Sequence, residues 1–221
     1  MTRGEAVRSS YDAVAERYAE EIGEELIGKP VDRALYGCFA ELVRDQAGAG
    51  RSVGDVGCGP GHVSRYLAGL GLSVIGVDIS PGMITVARLR HPHLRFEVGS
   101  IGGLPAKDGE WAGAVVPYSI IHLDRDERRA GFVELARVIR AGGWLLVAFH
   151  ISDDTTAAGD VRRLTDWWDT PVELDFHFLD PVEVAADITT AGFAVMSRTD
   201  REPWPDVEHA SRRGYLLAQR H

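Results

Sequence analysis

Lysine is almost missing from this chain: Lys29 and Lys107 are the only two among 24 basic residues, and the rest are arginine. Acidic residues outnumber them at 33, for a net charge of −9, and no basic block stands out. That balance argues against a nucleic-acid partner. Cysteine is equally scarce. Cys38 and Cys58 are the only pair, and Cys58 sits inside a glycine-rich turn, so no structural disulfide is expected. Two free thiols suit a reducing cytoplasm. No apolar run approaches the ~20 residues of a membrane span, and the opening Met1-Thr2-Arg3-Gly4-Glu5 lacks the apolar core of a signal peptide. The expectation is a cytoplasmic protein without a membrane partner. Internal repeats and low-complexity tracts are missing. His150 and His177 lack a third ligand at metal spacing, so no metal is expected.

Glycine, by contrast, is plentiful, and it is concentrated where it matters. Val53-Gly54-Asp55-Val56 is an apolar run that stops at Gly57-Cys58-Gly59-Pro60-Gly61, with a helical pattern directly after it. Such a turn needs residues that accept positive φ and lets a ligand lie against the backbone. The helix start beyond it favours anionic groups. Asp78 ends the next apolar run, 21 residues after Gly57, where a carboxylate about 20 positions on suits ribose hydroxyls. A dinucleotide fingerprint, G-x-G-x-x-G, would want glycine at position 62, where His62 stands.

Asp55-x-Gly57-x-Gly59-x-Gly61 resembles the first motif of the class I S-adenosylmethionine-dependent methyltransferases. The resemblance implies that Asp55 and the turn (Gly57, Cys58, Gly59, Gly61) hold the methionine part of S-adenosyl-L-methionine. Asp78 would then hold the ribose, with Ile79 against the adenine and Met83 on the helix that follows. After the third strand many relatives carry an acid for the adenine amino group. Here Ser100-Ile101 stands instead, and is expected to meet the adenine edge by backbone or hydroxyl. After the fourth strand, Pro117-Tyr118-Ser119-Ile120-Ile121-His122 occupies the place of the family's fourth motif. Tyr118 or Ser119 backbone groups are expected at the methionine amine. His122 is the candidate general base, since an unperturbed pKa of ~6.5 accepts a proton near neutrality. Tyr11 and Tyr18 share one face of the first helix and would close over the cofactor.

The pattern along the chain fits that family's fold. Residues 5 to 26 and Val31 to Val43 read as helices, broken at Gly28-Lys29-Pro30, and form an N-terminal helical cap or lid over 1–50. From residue 51 to 221 strands and helices alternate as one Rossmann-like domain. Strands are expected at Ser52 to Val56, Ser73 to Val77, Leu94 to Val98, Trp111 to Tyr118 and Trp144 to Phe149. Helices are expected at 61 to 70, after Ser80-Pro81, and from Arg125 to Arg140. A helix over Pro181 to Ala191 precedes two final strands, Phe193 to Arg198 and Arg213 to Leu217, whose short link requires an antiparallel pair. The fold class is therefore α/β, with a seven-stranded, mostly parallel sheet, an antiparallel final strand and helices on both faces. Asp55, Asp78, Ser100, Tyr118 and His150 all fall near carboxyl ends of strands, where ligands bind in such sheets.

The segment after the fifth strand is polar and carries His150, Asp153, Trp167, Trp168, Phe176 and His177, which would cover an acceptor pocket or simply pack. Arg201, Glu208, Arg212 and Arg213 read as surface charge or acceptor anchors. The reading is methyl transfer to an oxygen or nitrogen of a small molecule, such as a bacterial secondary metabolite, by a monomer or homodimer. Rival readings are a nicotinamide oxidoreductase, a cofactor-binding protein without catalysis, and a nucleic-acid or protein methyltransferase. The Asn/Asp-Pro-Pro-aromatic signature of enzymes that methylate amino groups in nucleic acids is missing after the fourth strand.

Overall fold

The computed structural model describes residues 2–46 and 52–221. The expected boundary between cap and domain, at residues 50 and 51, lies outside the described residues. The first helix, α1 (Arg3–Ile22), starts two residues before the expected 5, because Thr2 and Glu5 form a capping box, and stops four residues short of the expected 26. It ends at Gly23, and a single 3-10 turn (Glu25–Gly28) follows before α2 (Pro30–Gln46) opens on a proline.

The strands and helices then alternate. They run β1 (Ser52–Val56), α3 (His62–Gly69), β2 (Ser73–Asp78), α4 (Pro81–Arg90), β3 (Arg95–Val98) and β4 (Trp111–Pro117). The second half holds α5 (Arg125–Val138), β5 (Ile139–Asp153), α6 (Pro181–Thr190), β8 (Phe193–Arg201) and β9 (Ser211–Arg220). Seven strands form one sheet in the order β3-β2-β1-β4-β5-β9-β8. The order reverses beside β1, which opens a crevice at the carboxyl ends of β1 and β4. Strand β9 is antiparallel to both β5 and β8, and the pairs among β1 to β5 are parallel. The expected sheet and its antiparallel last strand are present.

The two faces of the sheet are buried under different helices. Phe132 and Leu135 of α5 and Val184 and Ile188 of α6 pack on Val116, Val147 and Phe149. Tyr36, Phe39 and Val43 of α2 and Val63 and Leu67 of α3 pack on Val53, Val115 and Leu146. Thus α2 belongs to a helical layer of the sheet, while α1 lies against α4 and the segment 170–177.

Two stretches differ from expectation. The helix read to Arg140 ends at Val138, and β5 begins at Ile139 because Ile139 pairs with Trp111 across a register shift. The polar stretch after Asp153 is an antiparallel hairpin of β6 (Val161–Trp167) and β7 (Thr170–His177). Trp168 and Asp169 form its two-residue turn, both at positive φ (54° and 61°), as a type I′ turn requires.

Candidate functional site

A cavity of about 670 Å³ lies over the carboxyl ends of the strands. The glycine turn makes one wall. Gly57 has φ +77°, and a Cβ there would come within 2.2 Å of the Ser119 Cβ. The turn is tied down from behind: the Val77 carbonyl accepts from the Gly57 and Cys58 amides at 2.7 and 3.1 Å. Asp78 is bound into the same unit, since its Oδ2 accepts from the Gly59 N–H at 2.9 Å and its Oδ1 from the Ser80 N–H at 2.9 Å. Gly57, Gly59 and Asp78 all line the cavity.

Three motif residues stand behind that wall. Asp55 is fully buried and does not line the cavity. Its Oδ2 accepts from Ser64 Oγ at 2.6 Å, while its Oδ1 has no hydrogen-bond partner. Burial, with the nearby Asp78 charge adding, pushes its pKa up to about 7 against the pull of Ser64. Burial likewise raises Asp78 despite its two amide donors. Cys58 points into a small cluster with Ile84, Ala87 and Phe96, and burial raises its thiol. Gly61 takes the left-handed conformation at the N-cap of α3 against Phe96.

The next wall comes from β2, α4 and the ends of β3 and β4. Ile79, Met83, Ser100 and Ile101 line the cavity together. Helix α1 covers this side. Its Asp12 Oδ1 accepts from Ser80 Oγ at 2.6 Å and from the Gly82 N–H at 2.7 Å, which latches α1 onto the start of α4. Asp12 carried no motif signal. Beyond β4 the chain turns sharply at Tyr118, a non-glycine residue at φ 56°. Such a conformation costs energy and concentrates at functional sites. Ser119 Oγ donates to the Val56 carbonyl at 3.0 Å, joining the two strand ends.

Aromatic rings close the cavity from above. Tyr11 and Tyr18 of α1 meet edge to face at 5.9 Å, and Trp167 lies 6.0 and 5.6 Å from them. Val172 and Leu174 of the hairpin pack on Val14 of α1, and Ser10 Oγ accepts from the Glu173 N–H at 2.8 Å. His122 is 5% exposed and stands between the helix and the hairpin. Its Nδ1 lies 3.2 Å from the Asp175 carbonyl, which can only accept, so Nδ1 carries the proton. Its Nε2 therefore accepts from the Tyr11 hydroxyl at 2.7 Å. Burial pushes the imidazole pKa down to about 4, and burial also keeps the Tyr11 phenol protonated.

At the β5–β9 end the lining is polar. His150, Arg162, His209, Arg213 and Lys29 all reach the cavity. Behind them Glu208 pairs with Lys29, Arg201 and Arg213, and Asp32 pairs with Arg201. Tyr215 donates to Asp32 at 2.5 Å, so Tyr118 donates to Tyr215 at 2.8 Å. Arg201 and Glu208 are therefore interior residues of a charge network, while Arg212 is a surface residue near Asp200. Asp153 holds Arg162, and His177 lies 3.0 Å from Arg3. Sequence reading missed Lys29, Arg162 and His209 at this end. Among the described residues no cluster of three metal-ligating groups exists, and no helix is long and apolar enough to cross a membrane.

Comparison with known proteins agrees with this geometry. Residues 53–143 match a family model described as a methyltransferase domain. The chain is 30% identical over 148 residues to a demethylmenaquinone methyltransferase of Renibacterium salmoninarum, covering 66% of this chain and 59% of that protein. It is 31% identical over 159 residues to a malonyl-acyl-carrier-protein O-methyltransferase of Serratia marcescens, covering 72% and 53%. The chain thus spans only 53–60% of the length of such relatives. Among solved structures, a magnesium protoporphyrin IX methyltransferase from Synechocystis with bound S-adenosylmethionine superposes with a TM-score of 0.70 at 19% identity, covering 100% of this chain and 98% of that one. A 4+2 cyclase, SpnF, superposes with a TM-score of 0.72 at 16% identity, covering 100% and 97%. These likenesses are of fold, and the fold hosts more than one reaction.

Proposed function

We propose that this chain, a member of the class I S-adenosylmethionine-dependent methyltransferase family, transfers a methyl group to an oxygen or nitrogen of a small-molecule acceptor. The observation that carries this reading is one continuous cavity. It starts at the Gly57–Gly59 turn and Asp78 and ends among residues with no part in a nucleoside site, such as Leu164 and His150. Both substrates would lie side by side within it.

The residues present fit S-adenosylmethionine. Backbone groups of Gly57, Gly59, Tyr118 and Ser119 would take the methionine end, and Asp78 the ribose hydroxyls through its remaining lone pairs. Ile79 and Met83 would flank the adenine, with Ser100 and Ile101 at its edge, while Tyr11 and Tyr18 close the site. Asp55, behind the wall, would act on the cofactor's ammonium through its charge once it is ionised. When bound, the cofactor supplies a methyl group already activated on a sulfonium, so alignment does much of the remaining work.

The protein's part is to hold the acceptor in line and to remove its proton. The bound cofactor would supply the methyl carbon, and the acceptor oxygen or nitrogen would supply the lone pair, so the acceptor must be held facing the turn. His122 Nε2 is reached through Tyr11: the acceptor proton passes to the Tyr11 oxygen while the Tyr11 proton passes to Nε2. The depressed imidazole pKa keeps His122 neutral with Nε2 open to accept a proton, and makes it a weaker base than the free imidazole on which the sequence-based expectation rested.

Calorimetry separates the rival cofactors. We expect S-adenosylmethionine and its demethylated product to bind with micromolar Kd, and NAD to give no heat. Binding of NAD without S-adenosylmethionine would overturn the proposal.

A further inference from the structure

The polar end of the cavity holds two donors that the methyl-transfer reading does not use. His150 and Arg213 are direct cross-strand partners in the β5–β9 pair, so their side chains leave the same face of the sheet. Tyr118 fixes both. Its ring lies 5.0 Å from the His150 ring at 31°, and the Arg213 guanidinium carbon lies 5.7 Å from its centre. Ser211 fixes them again: its hydroxyl is 2.7 Å from His150 Nδ1, and its carbonyl accepts from Arg213 Nη1 at 2.7 Å. Arg213 Nη1 also donates to the His209 carbonyl at 3.0 Å, and Nε faces Glu208 at 3.2 Å.

Three nitrogens remain. Arg213 Nε is buried beside Glu208 without a hydrogen bond, Arg213 Nη2 and His150 Nε2 make none among the described residues, and both side chains line the cavity. Arg213 is only 3% exposed. A guanidinium that deeply buried does not keep an idle N–H without cost. Glu208, the carboxylate paired with Arg213 among the described residues, is shared with Lys29 and Arg201, which also pair with Glu25 and Asp32, so the network balances three cations against three carboxylates and a ligand would be drawn by the unfilled N–H groups. The subsite requires the tautomer in which the Ser211 hydroxyl donates to Nδ1 and His150 carries Nε2–H, on the strand neighbour of Arg213. Two donors on neighbouring strands, one of them cationic, match the two oxygens of a carboxylate. Another wall of the same cavity is aromatic, with Trp167 and Phe176 6.1 Å apart edge to face.

We propose that Arg213 and His150 form a carboxylate-binding subsite, and that the methyl acceptor is a planar, largely apolar molecule whose carboxylate docks there. The inference rests on the methyl-transfer reading, because the glycine-turn end of the cavity is taken to hold the cofactor. Arg213 supplies the charge, His150 the second hydrogen bond, and the aromatic wall the contact with the body of the molecule. The carboxylate is the anchor, so the methylated atom lies elsewhere on the molecule, toward the turn.

Benzoate and benzamide are the probes, titrated by calorimetry into protein saturated with S-adenosylhomocysteine. Benzoate should bind at least tenfold tighter than benzamide. Arg213→Gln and His150→Phe should each weaken benzoate at least tenfold, with S-adenosylhomocysteine affinity within twofold of wild type. His150→Phe keeps a ring against Tyr118, so it carries the test if Arg213→Gln fails to fold. Equal binding of the two probes, no benzoate binding, or unchanged benzoate affinity in His150→Phe overturns the subsite. Failure of S-adenosylhomocysteine to bind wild type would instead overturn the methyl-transfer reading.

Discussion

The two ends of the cavity are built on opposite plans. The glycine-turn end is shaped by backbone: the Gly57, Gly59 and Ser80 amides are tied to the Val77 carbonyl and the Asp78 carboxylate, and side chains such as Ile79, Met83 and Tyr18 only flank the turn. The β5–β9 end is made of side chains, with Lys29, Arg213 and Glu208 drawn from a turn before α2, a late strand and the loop before it. A backbone site tolerates little change in geometry and serves one ligand. A side-chain site can be rebuilt residue by residue, and this suits the half proposed to recognise the acceptor.

That contrast is broken most severely at Gly57. A Cβ there meets Ser119 at 2.2 Å on a backbone at φ +77°, so Gly57→Ala must shift either the turn or the end of β4. We expect S-adenosylmethionine affinity to fall more than about a hundredfold, several kcal/mol at 1.4 kcal/mol per decade. Calorimetry measures it, and affinity within threefold of wild type would refute a backbone-built cofactor half. No single substitution at the β5–β9 end should match that loss of cofactor affinity.

The same contrast explains what could be read from the sequence. The turn and Asp78 are local, and their spacing survives as a pattern in the chain. The sheet was legible too, because its strands are apolar runs punctuated by glycine. The charge network was not: Arg213 and Glu208 carry no local mark of burial, and only the β5–β9 register brings Arg213 beside His150. The hairpin left a weaker trace. Val172, Leu174 and Phe176 alternate as a half-buried strand should, but its turn is Trp168-Asp169 rather than the usual Asn-Gly. The cap was only partly legible, since periodicity finds α1 and α2 without telling which packs on the sheet.

His122 tests the acceptor side of the cofactor half. His122→Ala should lower turnover by roughly a hundredfold, within the usual range for a lost acid–base group, with S-adenosylmethionine affinity changed less than twofold. Tyr11→Phe removes the hydroxyl that caps Nε2 and should have an effect of the same order if protons pass through it. Single-turnover rates with an unmethylated acceptor that the wild type turns over decide this. A large loss in His122→Ala beside normal turnover in Tyr11→Phe would show that His122 meets the acceptor directly.

Asp55 and Asp78 sharpen the electrostatic side. Asp55 keeps its proton to about pH 7 in the folded protein, but loses it near pH 4 when unfolded. The native state therefore binds more protons between about pH 4 and 7, and the Asp55 contribution to stability falls as pH rises through that window. The buried histidines run the other way, because His122 and His62 titrate low when folded. The difference between wild type and Asp55→Asn isolates the carboxylate. That difference should favour wild type at pH 4 and fade by pH 8 in denaturant melts. Cofactor binding gives a matching signal. A cation beside this pair favours ionised carboxylates, so affinity should rise up to about tenfold from pH 6 to 8, with proton release seen as buffer-dependent heats. Affinity that is flat with pH would remove Asp55 and Asp78 from the recognition of charge.

The smallest effect belongs to the hairpin turn that carries the lid. Asp169 is exposed at φ 61°, in the second position of a turn that glycine fits without strain. Its side chain has no hydrogen bond, and its own N–H, which faces Asp166 at 3.3 Å, survives substitution. Relief of strain is opposed by the greater freedom of glycine in the unfolded chain. Asp169→Gly should therefore raise stability by no more than about 1 kcal/mol, read as a small rise in Tm, with cofactor affinity unchanged. Trp168, at φ 54°, is the informative contrast. Its ring stacks on Trp167 at 4.8 Å and lines the cavity, so Trp168→Gly relieves the same kind of backbone strain while removing part of the aromatic wall. If the lid serves the acceptor, Trp168→Gly should weaken acceptor binding with little change in Tm, and Asp169→Gly should do the reverse. Identical behaviour of the two variants would mean that the hairpin serves only to pack against α1.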